Sequence, residues 1–415
     1  MNFLDASLVD FADVEDKDIM QRAELFGEYA DFIRSKKYNY YRRISTEGSG
    51  PIMSVVDCYS DKPQKMINLA SNDYLNLTKH PNTIKAGIEA VKKYGSGAGS
   101  VPLLGGTLDI HVELEKKIAN FKGCEDAILY TSGFGANCGT LLAMLGEKDI
   151  AILDMLVHAS TIDGCKNTNK KFFKHNDLKS LEKILDRSQK EYRTKLIVID
   201  GVYSMDGDIS PLDKIIDLAK TYGAYVMVDE AHATGVIGEN GRGTPEHYKV
   251  EGKVDIVSGT FSKALGGVGG FIATNSELVE LLHYYSRAYM FSTAPTPQVA
   301  GSLIAAMDVI QNDHERRARL WRNIKHFREN LLNMGFDIGQ SETAIFPIII
   351  GNDTKVKQAC KFLHEKGIYV NPVQYPAVPK RLSRIRMSLM SEHTIENLNY
   401  VLENLELLGK KLALI

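Results

Sequence analysis

From about residue 65 the chain alternates short apolar runs with longer amphipathic segments. The runs are Ala127-Ile-Leu-Tyr130, Ile150-Ala-Ile-Leu153, Leu196-Ile-Val-Ile-Asp200, Tyr225-Val-Met-Val-Asp229, Asp255-Ile-Val-Ser-Gly259 and Gly270-Phe-Ile-Ala273. Runs apolar at consecutive positions suit strands covered on both faces, and the helical stretches between them supply the covering layers. The pattern predicts an α/β fold, a mostly parallel central sheet with helices on both faces. Past residue 300 the period lengthens: Gln298 to Gln311 and Glu315 to Met334 read as long helices. They are followed by Ile345-Phe-Pro-Ile-Ile-Ile350, a helix around Lys355 to Lys366, and Ile368-Tyr-Val370, the makings of a compact α+β unit. Residues 15–45 are charged and aromatic with a helical tendency, ending in Tyr38-Asn-Tyr-Tyr-Arg42-Arg43 before a Glu-Gly-Ser-Gly-Pro turn at 47–51. The expected division is an N-terminal helical arm (1–62), a large domain (63–300) and a smaller C-terminal α+β domain (301–415).

Composition narrows the partners. The 415 residues carry 50 Lys and Arg against 52 Asp and Glu, with no long basic block or interleaved aromatic stripe, so nucleic acid is not the expected partner. The first residues lack the basic start and apolar core of a signal peptide, and no run is long enough to span a bilayer, which points to a cytoplasmic protein. Cys58, Cys124, Cys138, Cys165 and Cys360 are scattered without CxxC spacing, so neither a disulfide framework nor a metal site is expected.

Polar residues gather at the ends of the apolar runs. Asp200 and Asp229 each close one, and the loops that follow carry Ser204 and His232. In open α/β sheets the ligand crevice lies outside the carboxyl ends of the strands, so the chemistry is expected there. The segment Ser258-Gly-Thr-Phe-Ser-Lys263-Ala-Leu-Gly-Gly-Val-Gly-Gly270 follows a strand and places one lysine between hydroxyl residues and a glycine run. A buried lysine loses its hydrated charge and becomes a nucleophile toward aldehydes, while Thr260 and Ser262 offer hydroxyls to a phosphate. The order, lysine before glycines, is the reverse of a nucleotide-binding P-loop. Val228-Asp229-Glu-Ala-His232 offers a carboxylate able to hold a pyridinium nitrogen protonated and a histidine for a ring oxygen, although an Asp there equally suits a helix N-cap. His158 follows another strand and can stack on a planar ring or serve structure alone. Thr131-Ser-Gly133-Phe134-Gly-Ala-Asn137 opens a helix whose free N–H groups suit a phosphate. Together these elements ask for pyridoxal 5'-phosphate (PLP).

The sequence resembles the α-oxoamine synthases, PLP enzymes of fold type I, from about residue 38 to the C-terminus. The carriers are Ser71-Asn72-Asp73-Tyr74-Leu75, Gly106-Thr-Leu-Asp-Ile-His111-Val-Glu-Leu-Glu115, the Gly133-Phe134 turn, His158-Ala-Ser-Thr-Ile-Asp-Gly164, Asp200-Gly-Val-Tyr-Ser204-Met-Asp-Gly-Asp208, Asp229-Glu-Ala-His232, Gly259-Thr-Phe-Ser-Lys263 and Arg386-Met-Ser-Leu-Met-Ser-Glu-His393-Thr394. The resemblance implies that the large domain binds the cofactor, that Lys263 holds it as an internal aldimine, that His158 stacks on the ring, and that Asp229 and His232 meet its nitrogen and oxygen. It further implies phosphate contacts from Gly133, Phe134, Thr260 and Ser262, Ser204 near the ring, and an obligate homodimer in which Thr293 reaches the other subunit's phosphate. For the substrate it implies Arg386 on the amino-acid carboxylate, with Asn72, Tyr74 and Arg42 nearby. The reaction so implied is decarboxylative condensation of an amino acid with an acyl-CoA or acyl-carrier-protein thioester to an α-amino ketone.

Within the family, Met290-Phe-Ser-Thr-Ala-Pro-Thr-Pro297, Ile310-Gln-Asn312 and Val370-Asn-Pro-Val373 look most like bacterial serine palmitoyltransferase, implying serine and a long acyl chain for a sphingolipid-like product. Lys263-Ala-Leu-Gly-Gly267 looks more like glycine C-acetyltransferase, and Val101 after Ser100 departs from the serine palmitoyltransferase pattern. Alternatives are an 8-amino-7-oxononanoate synthase, or a cysteate acyltransferase in which Arg384 or Lys380 meets the sulfonate, unless both are solvated surface charges. An aminotransferase or lyase would use the same Lys263 and Asp229.

Overall fold

The computed structural model describes residues 3, 6–38, 41–57 and 62–415. They divide into two compact units, one made of 73–204 and 208–318, the other of the described part of 1–72 with 205–207 and 319–415. The sequence-based boundary at 300 falls inside the helix Pro297–Asn312. That helix stays with the first unit because it packs against Pro81–Tyr94 through small residues: a Cβ on Gly301 would come within 2.9 Å of the Ala86 carbonyl oxygen. The segment before residue 73 joins the other unit because Pro63–Asn68 pairs in parallel with Ile368–Tyr369.

In the first unit seven strands form one sheet, in the order Asp126–Tyr130, Gly270–Thr274, Ile256–Thr260, Tyr225–Asp229, Thr194–Asp200, Asp149–Asp154, Asn169–Phe173. All run parallel except Gly270–Thr274, which is antiparallel to both neighbours. The cause is chain length, since a parallel return needs a crossover of about a dozen residues or more and only residues 261–269 join it to the strand before. The edge strand Asn169–Phe173 has no apolar run to announce it. Four of its positions are exposed, including Lys170 and Lys171, and lysines on an edge discourage pairing with further strands.

Every residue of Asp149–Asp154 is buried, as expected of a strand covered on both faces. One apolar cluster joins Ile128, Leu153, Val198 and Met227 of the sheet to Leu141 and Leu282 of the helices laid on it. With the strands parallel, their carboxyl ends share one edge of the sheet. Asp200 and Asp229 lie directly opposite each other in the ladder, and Asp229 lies opposite Ser258.

The second unit holds two three-stranded sheets, one pairing Ile52–Val56, Pro63–Asn68 and Ile368–Tyr369, the other Ile345–Ile349, Arg384–Ser388 and Asn371–Val373. Helix His314–Met334 buries Leu320, Ile324, Phe327 and Leu331 at helical spacing, and Phe327 meets Phe346 edge-on at 5.3 Å.

Among the described residues no helix is long and apolar enough to cross a membrane, and no group of His, Cys, Asp and Glu is arranged to hold a metal ion. Cys124, Cys138, Cys165 and Cys360 are free thiols, while Cys58 lies outside the described residues.

Candidate active site

The site is built on the shared carboxyl edge of the first unit's sheet. After Asp126–Tyr130 the chain turns through Ser132, whose hydroxyl caps the helix Gly133–Met144 by accepting from the Gly135 N–H. A Cβ on Gly133 would stand 2.8 Å from the Cβ of Thr260, so glycine lets the helix start press against the end of the neighbouring strand. Thr260 and Ser262 hydroxyl oxygens lie 2.9 Å apart beside it. Free N–H groups and two hydroxyls thus meet at the positive end of a helix dipole, a ready anion site.

One turn further into the same helix comes a residue that sequence reasoning did not single out. Asn137 Nδ2 donates to Asp229 Oδ2 at 2.6 Å and to Ser160 Oγ at 3.0 Å, while its Oδ1 is buried with no hydrogen-bond partner. Asp229 itself is buried, and its other oxygen accepts from the Ala231 N–H at 2.9 Å. The only signal for Asn137 was its place in the motif that opens the helix.

His158 caps the helix Ala159–Gly164 with its ring. Its Nδ1 lies 2.7 Å from Ser160 Oγ, its backbone N–H donates to Asp200 Oδ1 at 3.3 Å, and Phe134 stands edge-on to it at 6.3 Å. Burial lowers the His158 pKa, the positive charge of Lys263 adds to this, and Asp229 opposes it. The ring is therefore held neutral. Asp200 is pushed well above the ordinary carboxyl range, first by burial and then by repulsion from Asp229.

His232 Nδ1 lies 2.7 Å from the hydroxyl of Tyr74, so these two predicted residues do come together. Lys263 is half-buried rather than fully buried, in a tight loop where Gly266 N–H donates to the Lys263 carbonyl at 2.9 Å and Phe261 N–H to that of Gly269 at 3.0 Å. Gly266 (φ 68°) and Gly269 (φ 121°) occupy backbone conformations closed to most side chains. Ser204 follows Thr194–Asp200 by four residues, and Thr293 is exposed on the loop before Pro297–Asn312.

Two further groups were missed. His175 lies 3.0 Å from Asp154 and 2.7 Å from Asp208, and although burial opposes its charge the two carboxylates raise it to about 10. Lys122 and Glu230 form a fully buried pair at 3.6 Å next to Asp229, with Glu230 also accepting from the Thr244 N–H at 2.9 Å.

In the second unit Arg386 is buried and donates to Asn72 Oδ1 and to Ser388 Oγ, each at 3.1 Å, joining two of the predicted substrate residues. Arg384 is neither a sulfonate contact nor a solvated surface charge. Buried, it bonds Asp206 at 2.7 Å and the Met205 carbonyl at 3.0 Å. Lys380 remains at the surface over the Tyr375 ring.

The residues at the sheet edge fit PLP, with a glycine-lined helix start for a phosphate, a clamped buried carboxylate for a pyridinium, a neutral imidazole and a lysine. Comparison with known proteins agrees. The family described as aminotransferase class I and II matches residues 64–405. The chain belongs to that family. Its branch is that of the α-oxoamine synthases, its fold is fold type I, and its cofactor is pyridoxal phosphate. The 8-amino-7-oxononanoate synthase of Thermoanaerobacter pseudethanolicus is 42% identical over 394 residues, covering 93% of this chain and 98% of that protein. 8-Amino-7-oxononanoate synthase 1 of Bacillus subtilis is 44% identical over 354 residues, covering 85% and 90%. Among solved structures, serine palmitoyltransferase from S. paucimobilis with a bound PLP–myriocin aldimine matches with a TM-score of 0.90 at 32% identity, covering 96% of this chain and 100% of that one. An α-oxoamine synthase of the acyltransferase type is the coarse identity these agree on.

Proposed function

We propose that this enzyme joins the α-carbon of a small amino acid to the acyl group of a thioester, releasing the thiol and carbon dioxide and leaving an α-amino ketone. The observation that supports this reading is the similarity to α-oxoamine synthases, 42% and 44% identity to two of them, and the Asn137–Asp229 clamp beside His158 suits the cofactor they share. PLP, when bound, supplies the electron sink for the bond broken at the α-carbon. Lys263 anchors the cofactor and moves the α-proton at its Nζ; Asp229 faces the ring nitrogen, and His232, held by Tyr74, faces the ring oxygen. Neutral His158 stacks on the ring without bringing a second cation near its nitrogen. The backbone of Gly133 and Phe134 and the hydroxyls of Thr260 and Ser262 hold the phosphate, with Ser204 beside the ring. Arg386, oriented by Asn72, grips the amino-acid carboxylate as a planar fork. Exposed Thr293 completes the phosphate site of a second copy in a homodimer.

Two donor pairs are in play. The product name 8-amino-7-oxononanoate decomposes, at the same new bond, into alanine and a seven-carbon acyl unit ending in a carboxylate; identities of 42% and 44% to enzymes of that name support this pair. Serine with a sixteen-carbon acyl unit is the pair named by serine palmitoyltransferase, supported by the TM-score of 0.90. Product mass spectrometry decides, with alanine, serine, glycine and cysteate each offered against acetyl-, pimeloyl- and palmitoyl-CoA while free thiol is measured. Thiol release with one pair is the expected result. Consumption of a keto acid with no thiol released from any pair would overturn condensation in favour of transamination.

A further inference from the structure

His175 lies two residues beyond the edge strand Asn169–Phe173, and no step described above uses it. Its Nδ1 stands 3.0 Å from Asp154 Oδ1 and its Nε2 stands 2.7 Å from Asp208 Oδ2. An ionised carboxylate only accepts hydrogen bonds, so a ring that serves both partners carries a proton on each nitrogen and is an imidazolium. Burial works against that charge, but the two carboxylates outweigh it and raise the group to about 10. Tyr203 also faces the ring, edge-on at 4.4 Å, and burial keeps that phenol neutral.

The two carboxylates belong to two segments that lead to residues assigned to the cofactor. Asp154 ends its strand and shapes the turn to His158: its Oδ1 accepts from the Leu156 N–H at 2.8 Å and its carbonyl from the Val157 N–H at 3.2 Å. Asp208 stands on the returning leg of the loop after Thr194–Asp200, where its carbonyl accepts from the Tyr203 N–H at 3.1 Å and Ile209 bridges Val202. Ser204 follows Tyr203 directly on the outgoing leg. Asn176 doubles the connection, its backbone N–H donating to Asp154 Oδ2 and its side-chain amide to Asp208 Oδ2, each at 2.9 Å. It does so from φ 52°, a left-handed conformation that asparagine tolerates better than most residues. Fastening the edge strand alone would need one carboxylate, whereas here four hydrogen bonds engage two, on separate loops.

Charge adds a second link to the site. Across neighbouring strands of the sheet the groups at or just past the carboxyl ends run in the order Lys263, Asp229, Asp200, Asp154, His175. Three aspartates thus stand in a row between two cations. Asp200, in the middle, is raised first by burial and then by Asp229; Asp154 adds to this and Lys263 opposes it. We propose that His175 is a positioning residue for the cofactor: its imidazolium ties the turn that presents His158 to the loop that presents Ser204 and balances the outer end of the aspartate row. The proposal rests on the reading under Proposed function and adds a residue to it.

The test compares PLP-loaded wild type with His175→Gln, which keeps a donor and loses the charge, and His175→Arg, whose planar fork carries the charge and can reach two carboxylates. In nitrogen–proton NMR of the imidazoles, the signals that H175Q removes are those of a doubly protonated ring at about pH 8, where an unperturbed histidine is neutral. Visible circular dichroism of the bound cofactor, which reports how the ring is held, is altered in H175Q and restored in H175R. With the preferred substrate pair, kcat falls about tenfold or more in H175Q while KM for the amino acid is unchanged. Asp208→Asn, which cuts only the arm to the Ser204 loop, repeats the dichroism test should the His175 variants not fold. A neutral ring at about pH 8, wild-type dichroism in both H175Q and D208N, equal loss in folded H175Q and H175R, or a change confined to melting temperature overturns the proposal. If no amino acid and thioester pair turns over, the condensation reading fails, and the NMR signals and the dichroism still decide the place of His175.

Discussion

Asn137 holds Asp229: the amide nitrogen lies 2.6 Å from the carboxylate oxygen, across 92 residues of sequence, and the same amide bonds Ser160, which in turn touches the His158 ring. One side chain thereby fixes both the group assigned to the ring nitrogen and the group assigned to the ring face. A hydrogen bond to a charged partner contributes about 1.5–3 kcal/mol, so Asn137→Ala is expected to lower kcat/KM by roughly ten- to a hundred-fold. The absorbance of the bound cofactor should shift while far-UV circular dichroism does not change. Wild-type turnover in that variant would show that Asp229 needs no clamp.

Gly133 permits contact between the helix start and Thr260, where a Cβ would come within 2.8 Å of the threonine Cβ. Gly133→Val forces the two apart at an overpacking cost of about 1–3 kcal/mol. Because the displaced N–H groups are those assigned to the phosphate, PLP affinity measured by absorbance titration is expected to fall about tenfold or more. A stable variant with unaltered affinity would move the phosphate elsewhere.

Lys122 and Glu230 are both buried, and Lys122 also bonds the Thr234 hydroxyl at 2.8 Å and the Arg242 carbonyl at 2.7 Å. Lys122→Met leaves Glu230 uncompensated and is expected to cost about 3–5 kcal/mol in denaturant unfolding. The double change Lys122→Met with Glu230→Gln should recover part of that loss. If the double variant were no more stable than the single one, the charge pairing would not be the cause.

Stability should respond to pH through two histidines in opposite senses. Burial brings His393 down to about 4, its ring lying 3.0 Å from the Met390 nitrogen and 3.1 Å from the Asn68 carbonyl. The unfolded chain takes up a proton there below about pH 6.5 that the folded chain refuses, so this group removes on the order of 3 kcal/mol as pH falls from about 6.5 to 4. His175, raised to about 10 by Asp154 and Asp208, contributes stability that is complete below about 6.5 and is lost as pH rises through 10. Melting temperatures from pH 4 to 10 at saturating PLP should show a shallower acid slope in His393→Gln and a shallower alkaline slope in His175→Asn. Slopes identical to wild type would remove these groups as the cause.

Much of the sheet was legible because most inner strands hold a run of apolar residues, as Leu196-Ile-Val-Ile199 within Thr194–Asp200, whose positions after the first are all buried. Asn169–Phe173 was not, since its Asn-Lys-Lys start pairs along one edge and owes its place to backbone hydrogen bonds rather than to a buried face. The reversal of Gly270–Thr274 is written only in the length of the loop before it. Charge was the poorest guide: Arg384 looked available in the sequence yet lies buried against Asp206.

By itself the sequence determined six of the seven strands of the first unit's sheet, the loops that follow them, and hence the sheet edge on which Asp200, Asp229 and Lys263 stand. These are local properties, set by periodicity and by where a run of apolar residues stops. The tertiary structure alone decided which buried polar atoms meet, Asn137 with Asp229 and Lys122 with Glu230, and which apolar faces stay apart, as around a cavity that Phe26, Ile33 and Arg42 line. Such pairings depend on distance through space between residues far apart in the chain, and no repeat in the sequence encodes that distance.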